Sequence, residues 1–429
     1  MGTRRSGGIE WITILLVVSL FAVGFLAILN ATGAPGDVEG ESLTSVVGKL
    51  NWSTVRLHTI WFATGAVLAA LLALMDYRYF ARLTPIFYLA MIAVLIFVLL
   101  FASETYGATS WIKTFFGRTV QPSELTKIVL IIVLAKLLSK YSAATGTLAF
   151  RDYVRIWLVA LAPLALVVLQ QDLGTAIVYL FIIVVMFYLA GAKLWMLILT
   201  GGAAAGAFVA AWTFDILKTT QKQRILVFLD PSLDPSGAGW NFQKALMAMG
   251  SGQLTGKGMF APGAMSQLNY IPVQTKDFIY AVIGETFGFI GAGLVMLLFL
   301  LLLLRLFKLS GRIQEKFGAL MIGGVAAMIA FHALESMGMC IGAMPITGIP
   351  LPFISYGGSN MWTNLLGVGL VLSVCLRNNF HRDAEHPEGM YFSPELLAQN
   401  QIGFGLRSSW QSIVKARRER SQRRRKYGG

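Results

Sequence analysis

The sequence predicts an all-α polytopic membrane protein with about ten transmembrane helices. Three observations carry that prediction. Of the 429 residues, 56% are hydrophobic and 13% are charged, whereas a soluble domain carries about 25% charged residues. The apolar runs are continuous over about 20 residues, the length a spanning helix needs, and do not alternate over about 10 as barrel strands do. The basic residues recur on every second connection. Lipid cannot satisfy open backbone groups, so the apolar runs must be helices.

The expected spans lie near residues 11–32, 57–75, 84–103, 122–138, 154–170, 173–190, 194–213, 277–304, 317–336 and 359–376. The first run, Trp11 to Ala31, is too long for a signal h-region and reads as a retained span. No internal repeat stands out, which argues against an inverted-repeat transporter. Sidedness follows from the cations. Arg4 and Arg5 precede span one, and Arg78 and Arg82 follow span two. Lys136, Lys140, Arg151 and Arg155 lie between spans four and five, and Arg305, Lys308, Arg312 and Lys316 between spans eight and nine. The tail ends ARRERSQRRRKYGG. With ten spans all of these fall on one side, which the positive-inside rule makes cytoplasmic. The expected organisation is a cytoplasmic N-terminus at 1–10, a membrane domain at 11–376 and a basic, largely disordered cytoplasmic tail at 377–429. A large extracytoplasmic loop, 214–276, joins spans seven and eight. The net charge of +14 is then mostly orientation signal, and no nucleic-acid partner is expected.

Polar groups at span depth are costly and are functional candidates by default. Glu124 and Lys127, in QPSELTK, share a helix face and can pair. A structural ion pair and a ligand contact are both open to them. Asp172, in LQQDLGT, stands at the outer corner between spans five and six and could cap span six. Asp277, in IPVQTKDFIYAV, stands where the large loop enters span eight. It could cap that helix or act as a base, with Lys276 beside it to neutralise its charge. The fourth group is MPITGIPLPFISYGGSN, Met344 to Asn360, with Ser355 and Tyr356. Its prolines and glycines exclude a regular helix. Irregular backbone at that depth needs a cover of protein or a water-filled cleft. The 214–276 loop adds Lys218, Lys222, Arg224, Lys244, Lys257 and Lys276 beside Asp230 and Asp234, a cationic excess on the outer side that suits an anionic ligand or plain solvation alike.

Other chemistries are excluded. GSGQLTGKGMF departs from a phosphate loop at Ser251 and Gly258, and no strand precedes it. DPSLDPSG lacks calcium-loop spacing. The histidines 58, 332, 381 and 386 are scattered, so no transition-metal site is expected. Cys340 and Cys375 fall at opposite ends of the last two spans and cannot pair.

GIPLPFISYGGSN closely resembles the signature of the SEDS family (shape, elongation, division and sporulation), the membrane peptidoglycan glycosyltransferases. The resemblance extends in order through QPSELTKIVLIIVLAKLLS, QQDLGTA, RILVFLDPSLDPSGAGWNFQKALMAMGSGQLTGKG and SQLNYIPVQTKDFIYAVIGETFGFIGA. The wording is more like the elongation branch than the division branch. The resemblance implies lipid II polymerisation outside the cytoplasmic membrane, with a class B penicillin-binding protein as partner. It implies Asp277 as the catalytic residue and Glu124, Lys127 and Asp172 as site residues. Arg224, Lys244, Ser355 and Tyr356 complete the expected substrate-binding set. A divalent cation, Mg²⁺ or Mn²⁺, is the cofactor such chemistry would use, and no organic cofactor is expected. A lipid-linked precursor flippase and a non-catalytic scaffold are the alternatives. The chain departs from the family pattern at Val273 (usually glutamate), Lys276 (usually threonine) and Gln171 (usually proline). It also lacks the arginine pair before Trp111. Lys276 is expected to lower the pKa of Asp277.

Overall fold

The structure is a computed structural model that describes residues 8–32, 52–105, 108–113, 119–141, 148–235 and 237–378. The arginine-rich tail and most of the first outer loop lie outside the described residues.

Ten long helices stand where the ten expected spans are: α1 (Trp11–Ala31), α2 (Trp52–Leu74), α3 (Tyr77–Phe101), α4 (Pro122–Tyr141), α5 (Phe150–Leu169), α6 (Leu173–Leu189) and α7 (Leu194–Thr213), then α10 (Ile279–Arg312), α11 (Lys316–Cys340) and α12 (Gly358–Arg377). Two shorter helices, α8 (Thr219–Leu229) and α9 (Ala238–Ser251), organise the large loop. Eight of the ten long helices are apolar and long enough to cross a membrane by themselves. The remaining two have physical reasons to differ. Helix α6 is short, and α4 carries Glu124, Lys127, Lys136 and Lys140. The all-α expectation has one local exception, since the connection before α4 folds into three short antiparallel strands, β1 (Ser103–Thr105), β2 (Ala108–Lys113) and β3 (Thr119–Val120).

Helix starts follow local chemistry. Pro122 opens α4 at a position whose N–H would have no partner anyway. Asp76 accepts from the Arg78 N–H and starts α3 seven residues before the expected boundary. Helix α11 is buried along nearly its whole length, so its run of small and apolar residues has no polar face. Helices α4, α6, α10 and α12 pack around it, α2 lies along α12, and α1 along α10. Helix α7 is almost bare and presents its apolar surface outward.

The long helix α10 is broken at Gly288 (φ 65°, ψ −163°). A break frees backbone groups that lipid cannot satisfy. The turn segment from Gln253 to Gly258 supplies the missing partners. The N–H groups of Lys257 and Gly258 donate to the carbonyls of Glu285 (2.9 Å) and Thr286 (3.0 Å). In return Phe289 and Ile290 donate to Gln253 (2.8 Å) and Leu254 (3.1 Å). This is the segment that superficially resembled a phosphate loop, and its glycines serve close backbone approach. A Cβ on Gly256 (φ +84°) would lie 2.1 Å from the Thr286 carbonyl oxygen, and one on Gly288 would lie 2.4 Å from the Gly256 nitrogen. Side chains lock the same joint. The buried Glu285 accepts from the Met265 and Ser266 N–H groups and from Lys257 Nζ. Asn30 of α1 donates to Thr286 and accepts from the Phe260 N–H.

Alanine at Gly256 or Gly288 is expected to cost about 1–3 kcal/mol and to lower the melting temperature in detergent or nanodiscs. Alanine at Gly293, which meets open space, serves as the control. Equal melting temperatures for all three variants would rule out the backbone patch as a stabilising joint.

Candidate active site

Asp277 is on the turn just before α10, outside the helix proper. The helix N-cap is Phe278, and no side-chain hydrogen bond caps it. Its own N–H donates to the Val273 carbonyl (3.1 Å), which closes a tight turn. Two contacts fix this turn from below, and a third holds the serine that makes one of them. The Ser355 hydroxyl donates to the Lys276 carbonyl (2.6 Å) and accepts from the Leu351 N–H (2.8 Å), and the Tyr356 N–H donates to the Thr275 carbonyl (2.8 Å). Ser355 is buried, and its hydroxyl is engaged in bracing the turn. The Tyr356 ring leans on Trp61 of α2.

The segment from Thr347 to Ile349 lies between Asp277 and the α6 corner. Gly348 takes φ +76°, and a Cβ there would sit 3.5 Å from Asp277 Oδ2, while one on Gly174 would sit 3.3 Å from the Thr347 carbonyl oxygen. Arg224 of α8 donates to that same carbonyl (3.2 Å). Thus Asp277, Arg224 and the glycine-rich segment form one cluster. Asp277 keeps part of its surface open. Burial pushes its carboxyl up to about 6, against the opposing charges of Lys276 and Arg224. The expectation that Lys276 holds the pKa down is therefore corrected. The lysine acts in that direction, and desolvation outweighs it.

Asp172 does cap α6, accepting from the Thr175 N–H (3.1 Å). Its other oxygen accepts from Gln121 Nε2 (2.6 Å) and more distantly from Ser123 Oγ (3.4 Å). The Gln121 N–H donates to Ser359 Oγ (3.1 Å). The α4 start, the α6 corner and the α12 start therefore meet at one point. Beside Asp172, Gln171 has φ 62°, a conformation closed to proline, whose ring holds φ near about −65°. The departure from the family's proline thus goes with a differently turned corner.

Glu124 and Lys127 are buried and bonded to each other (Nζ to Oε1, 2.6 Å). Lys127 also meets His332 Nε2 (2.8 Å), and Asn360 Nδ2 approaches Glu124 Oε2 (3.3 Å). Lys244 stands apart from this arrangement, over the rings of Trp240 (5.5 Å) and Tyr270 (5.9 Å). Sequence reasoning did not single out Gln121, His332, Asn360 or Glu335. Gln121 and Asn360 were inside quoted motifs. Glu335 is a buried carboxylate in span nine that bonds Thr347, and the rule that singled out Glu124 applies to it equally.

Among the described residues no group of three or more His, Cys, Asp or Glu side chains could hold a metal ion. A magnesium-like ion keeps waters and takes substrate phosphates as ligands, so one protein carboxylate suffices for it. The half-open Asp277 fits that limited role.

A family model for FtsW/RodA/SpoVE, described as cell cycle proteins, matches residues 10–379. The chain belongs to this family. The peptidoglycan glycosyltransferase RodA of Treponema pallidum is 28% identical over 87% of this chain and 99% of that protein. Escherichia coli MrdB, a peptidoglycan glycosyltransferase, is 32% identical over 73% of this chain and 83% of its own. A probable peptidoglycan glycosyltransferase FtsW of Thiomicrospira cyclica is 30% identical, covering 86% and 92%. Among solved structures, a chain of a peptidoglycan synthase complex that coordinates polymerization and crosslinking matches at TM-score 0.67 and 30% identity, covering 86% of this chain and 98% of that one. Rod shape determining protein RodA of Thermus thermophilus matches at TM-score 0.61 and 27% identity, covering 86% and 97%. Like these relatives, the chain is a multi-pass protein of the bacterial inner membrane.

Two stability predictions follow from this geometry. Lys127→Met leaves the buried Glu124 unpaired and is expected to cost about 3–5 kcal/mol, with most of it regained in the Glu124→Gln/Lys127→Met double variant. Thermal unfolding of the three variants in nanodiscs measures this, and an unchanged single variant would mean the pair is no brace. Gln171→Pro, which restores the family residue, is expected to lower the melting temperature because proline cannot take the observed φ.

Proposed function

We propose that this protein polymerises lipid II into glycan strands at the outer face of the inner membrane, with Asp277 as general base. The observation that carries the reading is Asp277 itself. It is a partly open carboxylate with its pKa raised to about 6, on a braced turn that leaves the helix start uncapped by any side chain. A group tuned near the working pH, beside a cation, is what proton removal during glycosyl transfer needs. The relatives named as peptidoglycan glycosyltransferases support the same reading. The wording of the large loop favours elongation over division.

In this mechanism the acceptor sugar hydroxyl attacks the anomeric carbon of the donor from the face opposite the pyrophosphate. The new C–O bond forms as the bond to the pyrophosphate oxygen breaks. The hydroxyl proton passes to the Asp277 carboxylate, and undecaprenyl pyrophosphate leaves with the bonding electrons. Arg224 supplies positive charge where the leaving group gains negative charge. A divalent ion held by the pyrophosphate and Asp277 would supply further charge stabilisation. Ser355 and Tyr356 hold the turn that carries the base. Lys244 lies on the same loop and serves the substrate's charged periphery.

The partner we infer is a class B penicillin-binding protein, which would crosslink the strands as they form. The similarity to a chain of a peptidoglycan synthase complex supports this. The basic clusters on alternate connections support cytoplasmic termini and an outward-facing Asp277. A flippase would route its substrate past Glu124 and Lys127, yet those groups are buried and bonded to each other, which favours a brace.

The test is a gel assay of glycan strands, with the purified protein, its cognate transpeptidase, lipid II and Mg²⁺ or Mn²⁺. Asp277→Asn keeps the shape and removes the base, so no strands are expected from it. Retained polymerisation by that variant would sink the assignment. For the wild type, protonation below about pH 6 disables the base. The rate should therefore rise about tenfold per pH unit on the acid side and level off above that value.

A further inference from the structure

Behind Asp277 stands a second carboxylate that no motif announced. Glu335 is on α11 and is 2% exposed. One of its oxygens accepts a hydrogen bond from the Thr347 hydroxyl. The other, Oε2, is buried with no hydrogen-bond partner among the described residues. Buried polar atoms are normally satisfied, and an unsatisfied one costs stability. Retaining a half-satisfied acid within an apolar helix therefore needs a reason beyond folding. Its one bond leads directly to the site. Thr347 gives its carbonyl to Arg224 (3.2 Å), and at the next residue, Gly348, an added Cβ would come within 3.5 Å of Asp277 Oδ2. The same carbonyl is backed by Gly174 at the α6 corner. One turn further along α11, Cys340 Sγ approaches the Asp277 carbonyl (3.9 Å). The Glu335–Cys340 stretch of α11 thus backs both the Asp277 turn and the Thr347 segment that Arg224 bonds.

We propose that Glu335 is a positioning residue of the reaction. Through the Thr347 hydroxyl it fixes the segment that holds the Arg224 guanidinium on one side and runs beside Asp277 on the other. The base and the cation that receives the leaving pyrophosphate are carried by separate elements, the turn before α10 and helix α8. Neither side chain is hydrogen-bonded to the other in the structure. Their common reference is the Thr347–Gly348 segment, and Glu335 ties that segment to the buried central helix.

The inference rests on the polymerase reading, and wild-type strand synthesis is measured first for that reason. No strands from the wild type would defeat the polymerase reading and this inference with it. With an active wild type, four variants decide. Glu335→Leu and Thr347→Val each remove the bond. Each is expected to lower kcat roughly 10- to 100-fold, as small misplacements do, with the KM for lipid II little changed. Glu335→Gln and Thr347→Ser keep an acceptor and a hydroxyl and should retain most of the activity. Adding Thr347→Val to Glu335→Leu should cost nothing further, since both remove one linkage. Arg224→Ala should be strongly damaging in the wild type and add little in the Glu335→Leu background. Melting temperatures are recorded for every variant. The proposal is overturned if Glu335→Leu polymerises normally, or if the two losses multiply. It is equally overturned if glutamine is as damaging as leucine, or if lost activity merely follows lost stability.

Discussion

The structure depends on one constraint: backbone that leaves the helix inside an apolar bundle must find its partners within the protein. Two segments face that demand. One is the break in α10 at Gly288, and the other is the stretch from Met344 to Gly357. The first is closed by the Gln253–Gly258 backbone, which exchanges four hydrogen bonds with α10 on either side of the break. The second is closed by Ser355 and Tyr356, which bond the turn before α10. Both repairs converge on residues 271–290, the region that carries Asp277. Irregular backbone and functional carboxylate occur together because the cover that one requires also positions the other.

That convergence explains why the large loop is ordered around the membrane domain. Glu285 gathers two backbone N–H groups and Lys257, and Asn30 brings α1 to the same joint. A loop attached only at its ends would leave Asp277 free to move. Here the turn is gripped from α12's entry segment, from α11 and from the loop itself. The electrostatic consequence is a carboxylate whose environment raises its pKa despite two neighbouring cations. Desolvation of the carboxylate outweighs the attraction of Lys276 and Arg224.

Much of this was legible in the sequence. The ten apolar runs were visible because bilayer thickness sets helix length and each run carries its own signal. The boundaries moved where capping chemistry acts, as at Asp76, and where a break let two helices run on as α10. Asp277, Arg224 and the Thr347–Gly348 segment were each singled out, though 53 and 70 residues separate them in sequence. Their meeting was beyond pattern reading. Glu335 was legible as a costly acid at span depth, but a lone acid in an apolar run does not say what it faces. Lys244, grouped with Arg224 by charge alone, rests on aromatic rings elsewhere.

The sequence by itself determined the class of molecule, the order of its helices and the residues able to do chemistry. Those properties are local: hydropathy, charge and motif wording are carried by consecutive residues. Only the tertiary structure decided which glycines serve backbone contact and which carboxylates are held by hydrogen bonds. It decided that burial, and not the adjacent lysine, controls Asp277. The reason is that desolvation, hydrogen-bond partners and close packing depend on groups distant in the chain, and the fold alone brings those together.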